Sequence, residues 1–176
     1  MFIEDATSGK RAGVNSENQL SVRAYAEPYE TLRGMDDGRA WTMVIDAVDP
    51  TAADDLFVYL KNDSSTEDLV VTSIDIGTTV TGALKLVGVT GTASGGTAQT
   101  PQSLRIASSA VAPVTAQTGV DITGLTETLK HAYILPANDG RSVLHKPVVI
   151  SNAQAVALRW VAATGILSGT ITFYMR

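Results

Sequence analysis

Asp55-Leu56-Phe57-Val58-Tyr59-Leu60-Lys61-Asn62 is the stretch that decides the fold. Leu56, Val58 and Leu60 fall on one side of an extended chain, and Phe57, Tyr59 and Lys61 fall on the other. A period of two, carried by aromatic and β-branched residues, predicts a strand with one fully buried face and one partly covered face.

The same pattern recurs on both sides of this strand, punctuated by Gly, Pro, Asp and Asn. Upstream, Gln19–Ala26 alternates Leu20, Val22, Ala24 and Ala26 with Ser21, Arg23 and Tyr25. Trp41–Val48 places Trp41, Met43, Ile45 and Ala47 on one face. Between them, Glu27–Gly38 breaks the pattern; Pro28 suits the first position of a short helical turn and Gly34 its end. Downstream, Leu69–Ile76 is rich in β-branched residues, and Gly82–Val89 opposes Leu84, Leu86 and Gly88 to Ala83, Lys85, Val87 and Val89. Thr90–Gln102 reads as a small-residue loop, with Leu104–Ile106 a candidate short strand. Pro113 confines any strand in Ala107–Val120 to an edge. Gly124–Lys130 reads equally as a helical turn or a loop. Strands are then expected at Thr128–Leu135, Ser142–Ile150, Ala153–Ala162 and Thr170–Met175, with an Asp-Gly turn at Ala137–Gly140. Eight to ten short strands with few helices predict an all-β, antiparallel two-sheet sandwich of jelly-roll type. Met1–Asn18 lacks periodicity and reads as an extended N-terminal arm. The expected organisation is therefore an arm, 1–18, and a single sandwich domain, 19–176.

Composition bounds the function. A chain of 176 residues is long enough to bury a core without staples. A net charge of −5 argues against general affinity for nucleic acid, which needs basic residues to neutralise phosphates. With no cysteine, disulfide scaffolds, thiolate zinc sites and cysteine nucleophiles are excluded. No apolar run reaches the roughly 18 residues of a membrane span, and Met1–Gly13 has no signal-peptide core. The expectation is a soluble protein that binds neither nucleic acid nor membrane.

No catalytic constellation emerges. His131 and His145 occupy apparent strand positions, where a surface or hydrogen-bonded histidine is the ordinary reading; the alternative, two imidazoles opposed on consecutive strands as the start of a metal site, finds no HxH or HExxH spacing to supply a third ligand. The acids Asp36, Asp37, Asp46, Asp49, Asp54 and Asp55 sit in or beside turns, where caps and solvated side chains are the ordinary reading. There is no G-x-S-x-G elbow, P-loop or calcium loop. Asn62-Asp63-Ser64 matches a glycosylation sequon. Trp41, Trp160 and the five tyrosines, Tyr59 among them, read as core or interface residues, with an exposed sugar-stacking platform as the alternative. No cofactor, metal or catalytic residue is expected.

The arrangement resembles the small jelly-roll head decoration (cement) proteins of tailed bacteriophages. The likeness rests on four stretches: the polar opening Gly9–Val22; Gly38-Arg39-Ala40-Trp41; the strand Leu56–Asn62 ending in Lys-Asn; and the terminal pair Ala153–Trp160 and Thr170–Met175. The resemblance implies a non-enzymatic virion protein, made in the bacterial cytoplasm, that sits on the capsid surface. It would bind the major capsid protein as a homotrimer and brace the shell. Contact residues would lie in the arm and the first strand, at Lys10, Arg11, Val14, Arg23 and Tyr25. The alternative is a carbohydrate- or receptor-binding jelly-roll module of a head fibre, tail fibre or baseplate. A sandwich enzyme acting on glycans through the acid clusters is the weakest reading.

Overall fold

The computed structural model describes residues 2–4, 11–13, 38–50, 55–91, 93–121, 125–144, 146–162 and 164–176. Among them there is no helix. The strands are β1 (Phe2–Glu4), β2 (Arg11–Gly13), β3 (Ala40–Val48), β4 (Asp55–Asn62), β5 (Leu69–Thr78), β6 (Gly82–Thr90), β7 (Ser94–Gln99), β8 (Gln102–Ser103), β9 (Val114–Asp121), β10 (Thr126–Leu135), β11 (Asp139–Ser142), β12 (Val148–Ile150), β13 (Ala155–Trp160) and β14 (Leu167–Met175).

Two antiparallel sheets pack face to face. One runs β10-β6-β13-β4-β9-β7. The other runs β11-β5-β14-β3-β8, with β12 also on β5. Without β7, β8 and β9, the orders reduce to β10-β6-β13-β4 and β11-β5-β14-β3, in which the chain alternates between sheets over β3 to β6. That is the eight-strand jelly-roll order of two Greek keys. The segment from β7 to β9 is an insertion between β6 and β10. It extends both sheets at the β3/β4 edge, β8 on one and β9 with β7 on the other.

The inter-sheet core follows the alternation. Trp41, Met43 and Ile45 of β3, Leu84 and Leu86 of β6, Leu158 and Trp160 of β13, and Ile171 and Phe173 of β14 share one cluster. Trp41 stacks on Phe173 with ring centroids 6.1 Å apart. The indole N–H of Trp41 donates to the Ala110 carbonyl, and that of Trp160 to the Thr164 carbonyl, so both polar handles are satisfied. A second cluster lies on the outer face of the six-stranded sheet that contains β4: Leu56, Tyr59, Val87, Val89, Val120, Ala155 and Ala157. Ala40, Val70 and Tyr174 form a third, on the outer face of the other sheet.

Strand β4 has the predicted bounds, but its faces differ from strict alternation. Phe57, Val58 and Leu60 point into the inter-sheet core, while Leu56 and Tyr59 join the outer cluster. Val58 pairs with Leu158 but Leu56 pairs with Arg159, so β4 carries one extra residue there. Such a bulge puts two successive side chains on one side. Both faces are buried from Leu56 to Leu60. A similar irregularity takes Ala47 off the Trp41 face: the register of β14 on β3 shifts between Leu167 and Gly169, and Ala47 is exposed with φ 48°.

Other expectations need correction. The small-residue loop contains a strand, β7, because Gly95 and Gly96 adopt positive φ (69° and 76°) while the segment pairs with β9. Leu104–Ile106 is a turn, and the short strand is Gln102–Ser103. Strand β9 is interior to its sheet, because Pro113 precedes it and removes no ladder hydrogen bond. Part of Gly124–Lys130 is the start of β10. Ser142–Ile150 is divided between the end of β11 and β12. At Ala137–Gly140 the left-handed residue is Asn138 (φ 57°), and Asp139 and Gly140 already belong to β11. This turn joins the two sheets and is not a hairpin, since β10 pairs with β6 and β11 with β5. Within the expected arm, β1 and β2 pair antiparallel, with Glu4 opposite Arg11. The expected strand Gln19–Ala26 and turn Glu27–Gly38 lie outside the described residues, apart from Gly38.

Candidate interaction surfaces

Of the predicted contact residues, Lys10, Val14, Arg23 and Tyr25 lie outside the described residues. Arg11 is placed by its backbone at the start of β2, opposite Glu4. Trp41 is 3% exposed, Tyr59 1% and Trp160 0%, so these three are core residues as expected, and none of them offers a face for sugar stacking. His131 is exposed on β10, its ring centroid 6.1 Å from that of Tyr133. His145 lies outside the described residues; β10 and β11, the strands on either side of the 136–138 turn, belong to different sheets. Among the described residues no group of three metal-ligating side chains assembles. Asp46 and Asp49 are exposed; Asp36, Asp37 and Asp54 lie outside the described residues.

The polar side chains that do assemble hold the fold. Asn62, at the end of β4, is fully buried. Its Nδ2 donates to the carbonyls of Glu67 (2.8 Å) and Ile150 (2.9 Å), and its Oδ1 accepts the Ser64 N–H (2.9 Å). Its backbone N–H donates to Gln154 and its carbonyl accepts from Ala153. One amide thus ties the 63–68 loop to the turn after β12. This burial also removes Asn62 as a glycan acceptor. Nearby, the Lys61 ammonium sits 3.0 Å from Asp63 Oδ1, and the Thr115 hydroxyl donates to Asp63 Oδ2 at 2.6 Å. The Asp63 carboxylate raises the Lys61 pKa. Burial raises the pKa of Tyr59, with Lys61 opposing and Asp63 assisting. The Tyr59 hydroxyl lies beside the Ala93 backbone without a hydrogen bond of normal geometry. Burial also raises the pKa of Tyr133. Across the outer face, half-buried Arg159 and Glu127 form an ion pair that links β13 to β10 over β6. Arg39 pairs with Glu67, and Arg141 with Asp139 (2.8 Å).

Two surfaces among the described residues bear on recognition. At the edge formed by β10 and β12, a cleft of about 280 Å³ opens between the sheets. Its walls include Gly88, Val148 and Val156; Thr128, Lys130 and Gln154 stand around it. The Lys130 stem occupies the space that a side chain at residue 88 would need, since a Cβ there would lie 2.9 Å from Lys130 Cε. At the opposite edge, the 104–111 loop carries Leu104, Ile106 and Val111 into solvent. Nothing in the sequence marked either surface. The loop's apolar residues have no period, and the cleft is built from strands distant in the chain. No protein-family model, curated protein or solved structure matches the chain.

Proposed function

We propose that the chain is a non-enzymatic virion structural protein, a decoration protein that binds the major capsid protein on the outer surface of a phage shell, as a trimer. The observation that supports this reading is the jelly-roll strand order carrying an inserted segment whose loop holds apolar side chains in water. Jelly rolls serve as coat and lectin domains, so the fold argues by analogy and the exposed loop argues for a protein partner. Contacts from several linked subunits would add as an effective concentration, making weak individual contacts hold as one.

The test is co-sedimentation with shells assembled from a tailed-phage major capsid protein. Binding that saturates at a fixed number of copies per capsomer, together with a higher shell disruption temperature, is the expected result. Absence of the chain from the shell pellet at micromolar concentration would overturn the reading. The glycan-binding alternative would have to do without Trp41, Tyr59 and Trp160, which are buried.

A further inference from the structure

Strand β10 carries a bulge at Lys130. Leu129 pairs with Val87 and His131 with Leu86, so Lys130 is the extra residue between them. A bulge re-aims a side chain. Here the lysine folds back over β6: a Cβ built on Gly88 would lie 2.9 Å from Lys130 Cε and 3.7 Å from its Nζ. Gly88 belongs to a cross-strand row, Thr128, Gly88, Val156 and Leu60, of which Val156 and Leu60 pack in the inter-sheet core. A row that faces between the sheets thus lacks one side chain, and the end of Lys130 lies at the gap. A lysine in an edge bulge also keeps foreign strands from pairing, but that role needs only an ammonium held out in water.

The gap is part of the cleft of about 280 Å³ at this edge, a volume at the small end for a ligand pocket. Its floor is aliphatic, with Val148, Ile150 and Val156 in or against the core. Its rim, Thr90, Thr128, Ser151 and Gln154, offers hydroxyls and an amide. Among the described residues no Asp or Glu lines the cleft and no carboxylate pairs with Lys130. Glu127, the acid nearest to it in sequence, is taken by Arg159 on the outer face of the sheet. The rim is also fixed in place. The Gln154 N–H donates to the Ser151 carbonyl (3.1 Å), closing the turn. Asn62 holds that turn: its Nδ2 donates to the Ile150 carbonyl (2.9 Å), its N–H to the Gln154 carbonyl (3.0 Å), and its carbonyl accepts the Ala153 N–H (3.0 Å). Groups already held in place lose little freedom on binding.

We propose that this cleft binds an acidic sugar residue. The aliphatic floor takes the C–H face of the ring, the rim hydroxyls and the Gln154 amide take its hydroxyls, and the Lys130 ammonium takes its carboxylate. A neutral sugar leaves the ammonium without an anion, and a bare carboxylate leaves the floor and rim unused. The site lies beyond the capsid reading and stands whether or not that reading holds.

The experiment is a titration of ¹⁵N-labelled protein, followed by amide chemical shifts, with methyl β-D-glucuronide, methyl β-D-glucoside and acetate. The two glycosides differ only in a carboxylate against a hydroxymethyl group. The glucuronide should shift the amides of Gly88, Thr128, Lys130, Ser151 and Gln154 saturably, with a dissociation constant of about 1–10 mM. The glucoside and acetate should each bind at least about tenfold more weakly. Lys130→Met keeps the stem and removes the charge, so it should reduce glucuronide affinity to that of the glucoside. Gln154→Ala should weaken both glycosides alike. The spectra of the two variants report directly that each keeps its fold. No saturable shift up to about 50 mM glucuronide overturns the proposal. So does a Lys130→Met variant that binds the glucuronide like the wild type, or a glucoside that binds as tightly as the glucuronide. Acetate binding as tightly as the glucuronide overturns the assignment to a sugar.

Discussion

Asn62 and Tyr59 show how differently two buried polar side chains act. Asn62 satisfies three backbone groups through its side chain, and Asn62→Ala would strand the buried Ile150 carbonyl and the part-buried Glu67 carbonyl and Ser64 N–H. Each stranded group costs about 1–3 kcal/mol, so a loss on the order of 3 kcal/mol is expected once partial rehydration is allowed. Urea unfolding measures it; a loss under about 1 kcal/mol would show that the loops do not depend on this amide. Tyr59 is the opposite case, a buried hydroxyl without a normal partner. Tyr59→Phe should therefore leave stability near pH 8 unchanged or raise it by up to about 1 kcal/mol. Its pKa is raised above the usual 10.0 by burial, and that of Lys61 above 10.5 by Asp63. For both groups the folded protein holds its proton to higher pH than the unfolded chain. Their contribution is full below the unfolded values and is lost as pH rises through the folded ones. Thermal midpoints should fall on titration above pH 10, and less steeply in Tyr59→Phe; equal slopes would remove Tyr59 from the account. The sequence showed Tyr59 as a strand aromatic. It gave no sign of Asn62's role, because a strand-terminal Lys-Asn reads as the start of a polar loop.

At the scale of elements, β3 to β6, β13 and β14 were legible from alternation, and the departures from it within β3 and β4 came from bulges. The extra residue in β4 turns Phe57 and Val58 to one side, a consequence of pairing with β13 that β4 alone does not encode. Glycines divide the same way. A Cβ on Gly169 would lie 2.0 Å from the Asp75 carbonyl oxygen, backbone that cannot yield, although its φ is ordinary. A Cβ on Gly140 meets nothing within 4 Å. Gly169→Ala should cost at least about 3 kcal/mol or prevent folding, whereas Gly140→Ala should lie within about 0.5 kcal/mol of the wild type. Thermal unfolding of the pair decides; similar midpoints would mean that β14 and β5 are farther apart than described. Both glycines look alike in sequence, each before a polar residue in a strand. Their difference is set by the neighbouring strand.

At the scale of the molecule, every strand of the inter-sheet core pairs with partners far along the chain. Closing such loops costs entropy before contacts repay it, so refolding is expected on the millisecond-to-second scale typical of β-sandwiches. Trp41 and Trp160 are both buried in the one inter-sheet cluster, which makes stopped-flow fluorescence the direct measurement. Microsecond refolding would imply that local contacts dominate. The sequence by itself determined the secondary-structure class, the main strands, the two-sheet architecture and the absence of thiol chemistry. Alternation, turn residues and composition are local properties of the chain, and local steric and solvation rules read them. Only the tertiary structure decided which strands neighbour one another, that Trp41 and Tyr59 are buried, and where the bulges fall. It also placed an apolar loop at one edge of the sandwich and a cleft at the other. Those features depend on pairing between segments as close as Gln99 and Ala116 and as distant as Ala40 and Tyr174, and pairing energies are nearly the same for many alternative partners until all the side chains are packed together.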